Sequence, residues 1–131
     1  GEMMRNVSAW FLRTGVTVVV IGMALGLFMA MTEDHRLMPV HAHMNVIGWL
    51  SLFAIGLYYR AFPGAARGSL PVVQYWLLLI GIVVMGISLA FLVTTGGAAL
   101  GPIAGLGGLL LLIGMILFAW TVYSNRQTAT A

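Results

Sequence analysis

The stretch Leu70–Thr95, LPVVQYWLLLIGIVVMGISLAFLVTT, runs without a single charged side chain. A helix crosses the hydrocarbon of a bilayer in about 20 mainly apolar residues, so this segment is long enough to span. In lipid its backbone N–H and C=O groups must be satisfied within the segment, which dictates a helix. Three more stretches read the same way, at roughly 13–31, 40–62 and 100–123. The composition agrees with this local reading. Of 131 residues, 61% are hydrophobic and 7% charged, and the mean hydropathy is +1.04. A water-soluble domain carries about a quarter charged residues, so this chain is expected to be integral to a membrane.

The breaks between the apolar runs are short: residues 32–39, 63–69 (PGAARGS) and Gly96-Gly97. Such connections make sequence neighbours antiparallel neighbours in space. The expected fold is all-α, an antiparallel bundle of four transmembrane helices forming one domain over residues 1–131. Arginine placement predicts its orientation. Arg5, Arg13, Arg60, Arg67 and Arg126 fall at one side of the bundle, and only Arg36 falls at the other, beside Glu33 and Asp34. The positive-inside rule then puts both termini in the cytoplasm and the loop around residue 36 outside. Trp10, Tyr58, Tyr59, Trp76, Trp120 and Tyr123 lie near span ends, where interfacial anchors lie. The first span is read as retained, because its apolar run outlasts a signal-peptide core and no small-residue cleavage site precedes Thr32.

Composition also excludes several functions. There is no cysteine, hence no disulfide, thiolate metal site or covalent c-type haem. The net charge of +3 is too small and too dispersed for nucleic acid binding. Two glycine pairs at helical spacing, Gly22/Gly26 and Gly101/Gly105 (followed by Gly108), predict close helix approach within one chain or between copies.

The chemistry is concentrated in MPVHAHMNVIGW, residues 38–49. All three histidines, His35, His41 and His43, lie between residues 35 and 43. His35, flanked by Glu33, Asp34 and Arg36, reads as a solvated loop residue. His41 and His43 open an apolar span, where an ionisable ring is a functional hypothesis by default. A helix turns about 100° per residue, so the two rings point to nearly opposite faces and cannot grip one metal together. On the His41 face Asn45, Gly48 and Leu52 follow, and Gly48 is expected to leave a flat space for a planar cofactor. On the other face His43 is followed by Ile47, Leu50 and Ala54, and an imidazole there needs a partner or a metal. Met38 and Met44 flank the pair, although most membrane methionines fill packing gaps.

The run from Arg36 to Arg60, RLMPVHAHMNVIGWLSLFAIGLYYR, resembles the second transmembrane helix of the catalytic subunit I of haem-copper oxidases. The C-family oxidases and the related nitric oxide reductases are nearest in pattern. The resemblance implies that a histidine at the outer end of this helix binds low-spin haem b. His43-Met44-Asn45 fits the family's H-x-N pattern, whereas the P-x-H of Pro39-Val40-His41 fits the family's Pro-Leu-His lead-in, so both histidines stand as candidate iron ligands. Asn45, Gly48 and Arg36 complete the expected cofactor site, with Arg36 suited to a haem propionate. The family's later histidines, which ligate the second haem and the copper, have no counterpart, because no histidine follows His43 in this chain. An independent oxygen-reducing centre is therefore not expected of it.

The expectations are thus a haem b protein of electron transfer or of O2 or NO binding, embedded in a prokaryotic cytoplasmic membrane. The lipid bilayer is its expected partner, together with further copies of itself that share a haem across a homo-oligomer interface. Two alternatives stand beside it. One is a copper- or zinc-binding protein using His35, His41, His43 and Met38. The other is a cofactor-free accessory subunit whose histidines hydrogen-bond within the bundle.

Overall fold

A computed structural model describes residues 6–127, and the described residues are helical with short connections. Four helices are long and apolar enough to cross a membrane: α1, Val7–Thr32; α2, Met38–Ala61; α3, Leu70–Thr95; and α4, Leu100–Ser124. The chain is a multi-pass membrane protein in architecture. Helix α1 starts at Val7, ahead of the expected boundary near Arg13, because Val7, Ser8 and Phe11 are buried against the other helices. The ends follow local chemistry. Pro39 and Pro71 occupy first-turn positions of α2 and α3, where a missing N–H costs nothing. Gly96 closes α3 in the left-handed conformation at φ 70°, its N–H bonded to the Leu92 carbonyl at 2.9 Å. At the end of α1 the same conformation is taken by Glu33, at φ 56°.

Most of the long side chains face outward, Val20, Met23, Leu27, Phe91, Leu106 and Ile116 among them. Lipid is as apolar as leucine, so burial of apolar surface does not drive these helices together; close packing and interhelical hydrogen bonds do. Helix α1 packs along α2 and α3 along α4. On α1, a Cβ at Gly15 would stand 3.2 Å from the Phe53 backbone nitrogen of α2. Between α3 and α4, a Cβ at Gly81 would meet the Gly107 carbonyl at 3.0 Å, and one at Gly107 would meet the Met85 nitrogen at 2.6 Å. The second glycine pair singled out in the sequence takes no part in this: Gly101 and Gly105 have open space where a Cβ would be. Gly107 and Gly114, in contact with Met85 and Leu78, make the close approach instead.

The core joins the two helix pairs around Phe11, Leu52, Ile55, Tyr59, Tyr75 and Leu78. Phe11 meets Tyr75 edge-on at 5.3 Å. A polar relay crosses the same region. The Tyr59 hydroxyl donates to Gln74 Oε1, Gln74 Nε2 donates to Thr121 Oγ1 at 2.9 Å, and the Thr121 hydroxyl donates to the Leu117 carbonyl at 3.1 Å. Gln74 is fully buried, and every polar atom of its amide oxygen–nitrogen pair has a partner in this relay. Thr14 and Tyr75 share a further bond of 2.7 Å between α1 and α3. Tyr59 is therefore a buried tie between helices, 2% exposed, and not the interfacial anchor its position suggested. Trp76, Trp120 and Tyr123 do face outward.

Candidate functional site

The first half of α2 holds the candidate residues, and its backbone is not a uniform α-helix. Met38–His43 is α-helical, Met44–Ser51 is a π-helix, and α-geometry resumes at Leu52. A π-helical stretch bonds i to i+5 and is concentrated at functional sites. Here the Ser51 hydroxyl also reaches back five residues, donating to the Val46 carbonyl at 3.3 Å.

His41 faces α1. Its Nδ1 lies 2.7 Å from the Gly22 carbonyl. A carbonyl only accepts, so Nδ1 carries the proton and Nε2 presents a lone pair. That lone pair accepts from Asn45 Nδ2 at 3.3 Å. The ring rests on Gly26, where a Cβ would come within 2.8 Å of its Cε1. Asn45 sits one turn along against Gly22, and a Cβ there would collide with its Oδ1. That Oδ1 is buried and without a hydrogen-bond partner. The Gly22/Gly26 pair is thus the bed for His41 and Asn45, which are themselves four residues apart. The glycine spacing in the sequence signals a close helix approach, and the side chains that fill it come from α2.

Gly48 continues the same face, and the room beside it is taken: a Cβ there would collide with Val18 Cγ1 of α1. The glycine serves helix contact in this packing, and Val18 was not foreseen as the residue filling the space.

His43 stands apart from this cluster. Its Nδ1 donates to the Pro39 carbonyl at 2.7 Å, one turn back on the same helix. The Nε2 lone pair has no protein partner among the described residues. Val46 and Leu50, three and seven positions on, are 56% and 60% exposed. His35 is an exposed loop residue whose carbonyl accepts the Met38 N–H at 3.1 Å. Arg36 is already engaged by Asp34, its Nε 3.0 Å from Oδ1 and its Nη2 2.7 Å from Oδ2. The Arg36 hydrogen bond lowers the Asp34 carboxyl to about 2, and the ion pair raises the Arg36 guanidinium in turn.

Among the described residues no group of three or more His, Asp or Glu side chains gathers as a metal site. The residues do fit a single axial ligand. Iron and other transition metals take a neutral imidazole nitrogen whose other N–H is held by a carbonyl, and His43 has that arrangement. His41 has the same tautomer, but its Nε2 is spent on Asn45 and its half-buried ring packs on Gly26 of α1. No family model, no curated protein and no solved structure matches this chain.

Proposed function

We propose that this chain is a haem b-binding membrane protein in which His43 is the axial ligand on iron, acting in electron transfer or in binding O2 or NO. The observation that carries the reading is the free Nε2 of His43, with Nδ1 held by the Pro39 carbonyl. The H-x-N pattern of His43 and Asn45 supports the same choice. Haem b bound there would supply a one-electron iron couple if six-coordinate, or an open coordination position for a diatomic gas if five-coordinate. The protein's own part is to orient the imidazole, hold its tautomer through Pro39, and offer the apolar flank of Val46 and Leu50. In this reading His41 is a structural residue that fastens α2 to α1. The second axial ligand, where there is one, comes from another copy in a homo-oligomer. The bundle is antiparallel, with both termini on the cytoplasmic side of a prokaryotic inner membrane, as the arginine distribution supports.

Absorbance spectra of the detergent-purified protein, oxidised and dithionite-reduced, with haem supplied during expression, test the proposal. A Soret band that His43→Ala abolishes and His41→Ala retains is the expected result. A band lost with His41→Ala alone, or no band despite available haem, overturns it. Bound copper or zinc without a Soret band would mark a metal-handling protein instead, and a colourless, metal-free protein an accessory subunit.

A further inference from the structure

A concavity lies far along the chain from the histidines, at the end of the bundle where α2 gives way to α3 and α4 terminates. It is a cleft of about 490 Å³. Two arginines line it, Arg67 from the α2–α3 connection and Arg126 from the segment after α4, and among the described residues no carboxylate does. Leu70, the first residue of α3, forms part of the wall, and that helix start has no side-chain cap. The Gln127 side chain closes one flank by lying directly on Gly64, where a Cβ would collide with it. Of the chain's acidic residues, Glu33 and Asp34 belong to the α1–α2 connection, and Glu2 lies outside the described residues. Neither arginine has an ion-pair partner among the described residues, in contrast to Arg36.

We infer that this cleft binds the phosphodiester headgroup of an anionic phospholipid. Three features select that ligand. The guanidinium fork matches phosphate oxygens two at a time, and an uncapped helix start adds a favourable partial positive charge. The volume suits a headgroup, since small-molecule sites span roughly 300–1,000 Å³. The place supplies the source: the last turns of α4 expose Trp120 (65%) and Tyr123 (89%) immediately before the cleft, and such side chains sit at headgroup depth. Basic pockets between transmembrane helices recognise acidic headgroups on this basis. The inference is independent of the haem reading.

Native mass spectrometry of the protein released from micelles holding equal phosphatidylglycerol and phosphatidylcholine tests it. The wild-type protein is expected to retain phosphatidylglycerol in excess. Each arginine near a membrane surface contributes about a fivefold preference, so Arg67→Gln with Arg126→Gln should lower the ratio about 30-fold. Arg36→Gln, at the other connection, should leave it unchanged. If the double variant does not purify, either single variant carries the test with about a fivefold loss. An unchanged ratio in the arginine variants overturns the inference. Displacement of the lipid by millimolar inorganic phosphate with equal effectiveness would assign the cleft to a soluble phosphate and overturn the lipid assignment.

Discussion

His41 of α2 rests through its Cε1 on Gly26 of α1, so close that a Cβ at residue 26 would stand 2.8 Å from the ring. The ring cannot retreat freely, because its Nδ1 is bonded to the Gly22 carbonyl at 2.7 Å. One helix thus carries a notch and the other the side chain that fills it.

Gly26→Ala should therefore destabilise the protein by about 1–3 kcal/mol, the usual cost of overpacking a fitted contact. Removing the ring should relieve the clash. In a double-mutant cycle of Gly26→Ala with His41→Ala, thermal unfolding in detergent should show a coupling of at least about 0.5 kcal/mol. Gly105→Ala, where the space is open, should change stability by no more than about 0.5 kcal/mol. Equal effects at Gly26 and Gly105 would contradict the notch.

Gln74→Leu keeps most of the volume and removes both interhelical bonds of the buried relay. The Tyr59 and Thr121 hydroxyls lose a partner inside the bundle, and a loss of about 1–2 kcal/mol is expected. Thr94→Ala serves as the control. Its hydroxyl bonds only to its own helix, at the Ala90 carbonyl, and its loss should be within about 0.5 kcal/mol.

Glu33 holds a left-handed backbone with φ at 56°, which costs a residue with a Cβ roughly 1–2 kcal/mol. Glu33→Gly should relieve part of that and raise unfolding stability by about 0.5–1 kcal/mol, as glycine does beyond helix ends. A decrease would mean that the Glu33 side chain contributes more than its backbone costs.

The Asp34–Arg36 pair sets a pH response in the α1–α2 connection. The Asp34 carboxyl is lowered from 3.8 to about 2, chiefly by the side-chain hydrogen bond from Arg36. A depressed folded-state value favours folding above the unfolded value and loses that contribution as pH falls through the folded one. The difference in stability between the wild-type protein and Asp34→Asn should accordingly be constant above about pH 4 and shrink between pH 4 and 2. Both side chains are well exposed, so the effect should be small and reduced by salt. A carbon-detected titration placing the Asp34 midpoint near 3.8 would contradict the pairing.

Much of the architecture was legible in the chain because the bilayer sets a simple rule. Leu70–Thr95 has the length and lack of charge that hydrocarbon demands, and the PGAARGS and Gly96-Gly97 breaks mark where the helices stop. The candidate site was legible only as a stretch of chain. The motif around His41 and His43 singles it out, and the turn of about 100° per residue puts the two rings on different faces. Gly48 shows the limit of that reading. A glycine in a helix permits a close approach without saying what comes close, and here the neighbour is Val18.

The sequence by itself determined that this is a four-helix membrane chain, because apolar length, charge scarcity and break spacing are local properties tied to a fixed hydrocarbon thickness. It also determined which residues bring ionisable chemistry to the second helix. Only the tertiary structure decided how the two histidines differ. The Nδ1 of His41 is held by the Gly22 carbonyl of α1, and the ring and Asn45 lie in a notch made by Gly22 and Gly26, while the Nδ1 of His43 stays with Pro39 on its own helix. That division depends on which carbonyl and which glycines of α1 meet His41, a relationship between helices that the residue pattern within either helix does not contain.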